Sequence, residues 1–456
     1  MSTIVPTALI RSLRNEFQFE EEAFFKTHET GDQVTSVRIN PYKEPNVFSK
    51  NEQVPWCPQG RYLDQRPSFI ADPYFHAGCY YVQEASSMFL HHILKSEGNL
   101  GKSMKILDLC ASPGGKSTLI SSLINQESIL VSNEIIKSRV PALTDNLTKW
   151  GVSNVFVTNN DPKDFSRLNG YFNIMVVDAP CSGSGMFRKD PGAINEWSES
   201  AVMLCSQRQQ RILADSYSAL QNDGLLIYST CSYSREENED IADWLCDHFD
   251  ATPLKIPIAP DWGIAETRSS KHGAPGYRFY PHKVKGEGFF VCCFRKNEGT
   301  VSEVKSKQRP ESPAKKEEEI IFKWVNREGL AFIKYNQDLF AIPETAIGDF
   351  KILQTSLYLK KSGTRVGRIA GKDLVPDHEL ALSLILHPAI HKTNLSKEEA
   401  WAYLRKDELK LNSDFNGWTL MCYNNQALGW AKILPNRINN YYPKEQRILK
   451  DFKDLQ

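Results

Sequence analysis

The segment DLCASPGGKS, residues 108–117, follows the β-rich run KILDL directly and opens an amphipathic stretch over 116–126. Pro113, Gly114 and Gly115 make it a tight strand-to-helix turn, where a ligand can approach the backbone because glycine has no Cβ. A phosphate loop of the form G-x-x-x-x-G-K-[ST] needs glycine at position 110, and Cys110 stands there. The dinucleotide fingerprint G-x-G-x-x-G is absent after this strand too. What remains is a nucleoside cofactor without phosphate, a description that S-adenosylmethionine satisfies.

Outward from this turn, β-rich runs alternate with amphipathic ones: KILDL, then 116–126; ILVSN, then VPALTDNLTKWG; NVFVTN; NIMVVDAP, then 201–220; GLLIYST, then 236–249; and GFFVCCF. Such alternation predicts an α/β fold with a parallel sheet covered on both faces, its ligands at the carboxyl ends of the strands. Glu134 closes the second strand about 20 residues after the glycines, where an acid accepts hydrogen bonds from ribose hydroxyls. Asp161, after the third strand, suits the adenine edge. Each acid reads equally as a helix cap or turn residue.

Two cysteines stand just beyond strands in polar, glycine-rich loops, Cys181 in DAPCSGSGMFRK and Cys231 in STCSYSREENED. If those strands are neighbours, about 4.8 Å apart, both thiols reach one pocket. A thiol so placed suits methylation of an unreactive aromatic carbon. Thiolate addition at cytosine carbon 6 turns the ring into an enamine whose carbon 5 can attack a sulfonium methyl. A second cysteine, or a water it binds, can help remove the carbon 5 proton and release the thiol. Asp178, two residues before Pro180, suits the cytosine amino group and ring nitrogen, or is a structural strand-end carboxylate.

Composition bounds the setting. Lysine plus arginine equals aspartate plus glutamate, 55 each, so any polyanion site must be local. The start MSTIVPTALIRSLRNEF lacks a secretory pattern, and no apolar run approaches the roughly 18 residues of a membrane span. A soluble, cytoplasmic, monomeric protein with no membrane partner is expected. The ten cysteines are scattered with no C-x-x-C pair, which points to reduced thiols and no metal site. Cys292 and Cys293, adjacent in a strand-like run, should point to opposite faces.

Residues 298–318 are polar and charged and read as a linker. The expected organisation is an N-terminal α+β RNA-binding region, 1–74, with a helix from Pro6 to Thr27 followed by strands such as TSVRIN. A catalytic domain at 75–297, the linker, a connecting α/β region at 319–374 and a β-rich module at 375–456 complete it. Lys360, Lys361, Arg365, Arg368 and Lys372 form one basic run, and Arg437, Tyr441, Tyr442 and Lys444 a basic-aromatic one. Both suit phosphate contacts and base stacking, or are simply solvated faces.

Together and in this order, DLCASPGGKS, DAPCSGSGMFRK and TCSYSREENED resemble the RNA (cytosine-5)-methyltransferase family that includes the Sun, Fmu and nucleolar proline-cysteine proteins. The likeness covers about residues 75 to 297, with YYVQEASSM and RFYPHKVKGEGFFVCCF also looking like family segments. It implies a Rossmann-like S-adenosylmethionine-dependent methyltransferase in which Cys231 is the nucleophile and Cys181 assists release. DNA cytosine methyltransferases use the proline-cysteine for attack, so the reverse assignment is the rival. The resemblance also implies that Cys110, Ala111, Ser112, Pro113, Gly114, Gly115, Lys116, Glu134, Asp161 and Asp178 surround the cofactor, Asp178 lying near the target base as well. Arg139 would support that region, or form a surface salt bridge. In the C-terminal part, LKKSGTRVGRIAGKDLVPDHELAL and GWTLMCYNNQALGWAKILPNRINNYYPKE are similar to bacterial members that modify small-subunit ribosomal RNA. This likeness implies a PUA-like RNA-binding module, with the ribosomal RNA or the assembled small subunit as partner. Transfer RNA as substrate, or RNA binding without catalysis, are the alternatives.

Overall fold

Period-two alternation in the β-rich runs gives the sheet two apolar faces. Ile106, Leu130, Val155, Val157, Ile174, Val176, Leu225, Ile227, Val291 and Cys293 line one face. Their chain neighbours Leu107, Ile129, Val131, Phe156, Met175, Val177, Leu226, Tyr228, Cys292 and Phe294 line the other. The two adjacent cysteines thus part to opposite faces. Leu119, Ile120, Leu143 and Leu147, from helices Gly115–Ser121 and Val140–Trp150, cover the first face. Ile212, Leu213, Ile241 and Leu245, from Glu199–Ser216 and Glu239–His248, cover the second.

The computed structural model describes residues 5–43, 46–299, 310–411 and 415–450. Five strands, Lys105–Asp108, Ile129–Asn133, Val155–Thr158, Phe172–Asp178 and Leu220–Thr230, run parallel. The sheet as a whole is mixed rather than parallel, because Phe289–Lys296 pairs antiparallel to Leu220–Thr230 and carries Pro275–Phe279 and then Ala265–Arg268 beyond it. The chain reaches Phe289–Lys296 directly from Pro275–Phe279 with no helix between them, and such a short return suits antiparallel pairing.

The expected helix from Pro6 to Thr27 is two helices, Thr7–Leu13 and Glu21–Glu29. Gln18 between them takes φ 61°, which no α-helix accommodates. Leu9, Ile10, Leu13 and Phe24 pack on Phe187 and Tyr233, which follow the two cysteine loops. After the helices, Thr35–Ile39 joins a four-stranded antiparallel sheet with Gln53–Val54, Cys57–Leu63 and Tyr80–Val82. Arg38 of this sheet is buried; its guanidinium donates to Gln83 Oε1 at 2.7 Å and Thr118 Oγ1 at 2.6 Å and lies 4.4 Å from the Trp150 ring centre. It fastens the N-terminal sheet to the helix of the glycine turn.

The expected linker falls partly at 300–309, outside the described residues, and its far end already belongs to helix Lys315–Ile321. Beyond it stand two four-stranded sheets, Leu330–Pro376 and Lys392–Asn440 in extent, sharing one core of Leu339, Val366, Leu374, Leu420 and Trp430. An expected boundary at 374/375 runs through strand Asp373–Pro376, and one at 74/75 runs through helix Pro73–His76. Ile333, Ile342, Phe350, Leu353 and Leu357 pack on the second face of the catalytic sheet, and Leu359–Ser362 extends that sheet beside Val155–Thr158. No helix among the described residues is long and apolar enough to cross a membrane.

Candidate active site

Chain order reverses between strands Lys105–Asp108 and Phe172–Asp178, which are hydrogen-bonded neighbours. A doubly wound sheet opens its ligand crevice at this point. Asp108 is fully buried, and its Oδ2 accepts from Ser117 Oγ at 2.6 Å, tying the following helix back under its own turn. Ser132 Oγ meets Ser117 Oγ at 2.8 Å from the next strand. Asp108 Oδ1 has no hydrogen-bond partner, and burial pushes this carboxyl up to about 7.

The turn itself matches its sequence. Gly114 takes φ 112°, a left-handed conformation open to glycine at little cost. A Cβ on Gly115 would stand 3.3 Å from the Tyr81 ring, so the bare backbone faces into limited space. Burial, then the acids Asp108, Asp178 and Glu134, push the Cys110 thiol up and keep it neutral. Ala111 N–H donates to Asn133 O at 2.8 Å, and Asn146 Nδ2 to Pro113 O at 2.9 Å.

Arg139 unites the two readings proposed for it. Its Nη2 donates to Ser112 O at 2.7 Å, Ser112 Oγ donates back to Arg139 O at 3.0 Å, and its Nη1 lies 3.4 Å from Glu134 Oε2. One guanidinium therefore brackets the glycine turn to the acid ending the second strand. Glu134 is buried, and its Oε1 accepts from Ile136 N at 2.8 Å. Asp161 accepts from Lys163 N at 3.1 Å and caps the short helix Pro162–Leu168. Both acids thus spend one oxygen on a backbone N–H, the cap reading, and the other oxygen of Glu134 faces Arg139.

Lys116 Nζ reaches Asp178 Oδ2 at 2.7 Å, and Asp178 Oδ1 accepts from Ser229 Oγ at 2.8 Å. Asp178 is thereby held between the glycine turn and the strand that leads to Cys231. Strands Phe172–Asp178 and Leu220–Thr230 are neighbours, and just past them the Cys181 and Cys231 Sγ atoms stand 3.0 Å apart. That separation exceeds the roughly 2.05 Å of a disulfide, and all ten cysteines are unbridged. The hydrogen bond to Cys231, then burial, pushes the Cys181 thiol well up. Either sulfur can serve as the donor to the other.

Several residues that position the sulfurs escape sequence reading. Gly185 N–H donates to Cys231 O at 2.9 Å and Gly288 N–H to Gly185 O at 3.0 Å, a backbone stack with room for no side chain. Glu237, inside the quoted run SREENED, is buried and contacts both cysteine loops. The one sequence signal was a carboxylate six residues after Cys231, in a charged run that reads as solvated surface. Ser229 and Ser117 are too common in type to be singled out.

The basic residues fare unevenly. Lys360 is exposed, its Nζ 4.0 Å from the Tyr358 ring centre, and Arg368, Lys372, Arg437, Tyr441 and Lys444 are exposed too. Lys361 is only 6% exposed and paired with Glu379, and Tyr442 is 2% exposed, so neither can meet RNA. For Lys361 the reason is strand alternation: a neighbour of an outward side chain points inward. Arg365 is engaged by Asp338 at 2.7 Å and Asp377 at 3.4 Å.

A Rossmann-like sheet with a glycine turn at its switch point and an N-terminal and a PUA module packed on it defines an S-adenosylmethionine-dependent RNA methyltransferase. Family comparison agrees along the chain: 16S rRNA methyltransferase RsmB/F matches residues 98–295, the N-terminal domain of 16S rRNA methyltransferase RsmF matches 5–85, and the RsmF PUA domain matches 390–448. Ribosomal RNA small subunit methyltransferase F of Aliivibrio fischeri strain MJ11 is 31% identical, over 90% of this chain and 90% of its own. That of Psychromonas ingrahamii is 29% identical over 86% and 84%. A solved methyltransferase homolog from Pyrococcus horikoshii superposes with a TM-score of 0.52 at 25% identity, over 64% of this chain and all of its own, 100%. The chain belongs to the ribosomal RNA small subunit methyltransferase F family.

Proposed function

We propose that the protein methylates carbon 5 of a cytosine in small-subunit ribosomal RNA, with Cys231 as nucleophile and Cys181 assisting release. The observation that carries this reading is the sulfur pair, 3.0 Å apart at the ends of adjacent parallel strands and across the switch-point crevice from the glycine turn. A cysteine kept only for packing would sit in hydrocarbon; these two sit among serines and glycines.

The cofactor fits the residues present. Cys110 to Lys116 offer a close backbone approach at Gly114 and Gly115. Glu134, braced by Arg139, presents a carboxylate oxygen to ribose hydroxyls, and Asp161 takes the adenine edge. When bound, S-adenosylmethionine supplies an electrophilic methyl group to carbon 5. The chain's own residues do the rest. Asp178, held by Lys116 and Ser229, orients the ring through its amino group. Cys231, its proton having passed to solvent, bonds as the thiolate to carbon 6, which loads electron density onto carbon 5. After transfer, a water held beside Cys181 takes the carbon 5 proton, the double bond reforms and the Cys231–carbon 6 bond breaks to release the thiolate.

The Cys181 thiol is pushed well up by the neighbouring sulfur and by burial. A stacked cytosine hides carbon 6, so the target base must be splayed out of its helix. Residues 1–74, the connecting region and the module beyond 375 are proposed to grip the flanking RNA, with Lys360 and Arg368 from the connecting region and Arg437 and Tyr441 from the module among the contacts. Tritiated cofactor incubated with naked ribosomal RNA and with small subunits should label 5-methylcytidine. Label on another base refutes the chemistry, and none on any RNA favours a silent RNA binder.

A further inference from the structure

Glu237 closes the one-turn segment Arg235–Glu237 and is completely buried. Its Oε1 accepts from Ser182 N–H at 2.8 Å and Gln209 Nε2 at 3.1 Å. Its Oε2 accepts from Ser182 Oγ at 2.5 Å and Ser232 Oγ at 2.6 Å. Ser182 directly follows Cys181, and Ser232 directly follows Cys231. A single carboxylate therefore holds both sulfur-bearing loops.

Four donors converge on two oxygens. A neutral carboxylic acid would place a proton of its own against one of them, so the arrangement suits the ionised form. Burial opposes that charge and raises the carboxyl, while the serine hydroxyls, the Ser182 N–H and Gln209 favour it. Gln209 also donates to Pro180 O at 3.1 Å, so the same helix clamps the residue before Cys181. Nothing in the mechanism above uses this buried acid.

We infer that Glu237 is a positioning residue of the methyl-transfer site: its buried carboxylate sets the separation of the two sulfurs and places a negative charge beside them. The inference rests on Cys231 as nucleophile and deepens that reading. A negative charge beside the pair resists a second one. Glu237 is among the groups that push Cys181 up. The carboxylate thus acts through geometry and charge without touching the substrate.

Glu237→Gln removes the charge at nearly constant shape and turns one acceptor into a donor. Full-length protein carrying it should lose roughly tenfold to a hundredfold in kcat, as befits a group acting through another. KM for RNA and Kd for the cofactor should stay within about twofold. The discriminating readout is the pH dependence of Cys231 alkylation by iodoacetamide, followed by peptide mass. Without the charge the pair loses its first proton more easily, so the midpoint should fall by roughly one unit. Glu237→Asp, which keeps charge on a shorter arm, should restore the midpoint but only part of kcat.

An unmoved midpoint in E237Q, or kcat within twofold of wild type, overturns the inference. Should E237Q fail to fold by its melting curve, Ser182→Ala and Ser232→Ala each delete one bond to the same carboxylate. Each should cost at least about threefold in kcat; wild-type kcat in both overturns the inference. A C231A chain that still methylates sinks the underlying mechanism, whereas a silent C231A beside a wild-type-like E237Q sinks this inference alone.

Discussion

Arg278→Met opens a buried charge next to the catalytic loop, and its cost follows from the contacts. Arg278 is 2% exposed; its Nε donates to Glu239 Oε1 at 2.7 Å, its Nη2 pairs with Glu239 Oε2, and its Nη1 donates to Tyr233 O at 2.5 Å. Glu239 is buried as well, with Thr267 Oγ1 its other partner at 2.7 Å. Burial alone would raise the Glu239 carboxyl, but the Arg278 guanidinium outweighs it and holds the group below the usual range. Removing one partner of such a pair costs about 3–5 kcal/mol, because the other charge stays buried and unpaired. At about 2–4 °C per kcal/mol for a domain of 150–250 residues, the melting point should drop by roughly 6–20 °C.

The pH dependence gives a sharper check. In the wild type the depressed Glu239 contributes stability that is full above its unfolded pKa and lost as pH falls through the lower folded value. In R278M the unpaired carboxyl is raised by burial, so its penalty is greatest at neutral pH and shrinks as pH falls through the raised value. The gap between variant and wild type, read by differential scanning fluorimetry, should narrow from pH 8 to pH 5. Arg278→Met combined with Glu239→Gln should regain much of the loss at pH 8. An unchanged melting point in R278M, or a gap that widens on acidification, refutes the reasoning.

Other outcomes follow from the same contacts. Gly185→Ala would place a Cβ 2.5 Å from Gly288 O and 2.8 Å from Cys231 O, so the backbone under Cys231 must move; methyl transfer should fall more than about tenfold, as a misplacement of an ångström costs, with cofactor affinity kept in calorimetry. Lys361→Met should lower the melting point by taking from half-buried Glu379 its ion-pair partner, whereas Lys360→Ala with Arg437→Ala should leave melting unchanged and weaken RNA binding in filter assays, more so at low salt. A chain cut after residue 299 should lose its cooperative melting transition, since Phe350, Leu353 and Leu357 would no longer cover the sheet.

That last expectation departs from what the polar stretch 298–318 suggests. Composition marks a linker there, but cannot tell that the segment beyond it returns to the catalytic sheet; Leu359–Ser362 carries no signal that its partner is Val155–Thr158, some 200 residues earlier. The central strands were legible because both faces are buried, which writes unbroken apolar runs such as ILVSN. Phe289–Lys296 was legible as a strand and not in its direction, since pairing sense depends on the connection and not on side-chain pattern. The site was legible where covalent chemistry needs rare residue types, Cys181 and Cys231, or a special turn, Gly114 and Gly115. It was illegible where ordinary residues act by being buried: Glu237 reads as surface until the fold places Ser182 and Ser232 against it. Lys361 fails the opposite way, a cation in a basic run that the strand turns inward.

The most direct test of the sulfur chemistry uses C181A protein, ribosomal RNA and S-adenosylmethionine, followed by denaturation, nuclease and protease digestion, and peptide mass. The account expects a nucleotide remnant bonded to the peptide that contains residue 231, and none from C231A. A remnant on the Cys181 peptide of C231A, with C181A free of any adduct, contradicts it.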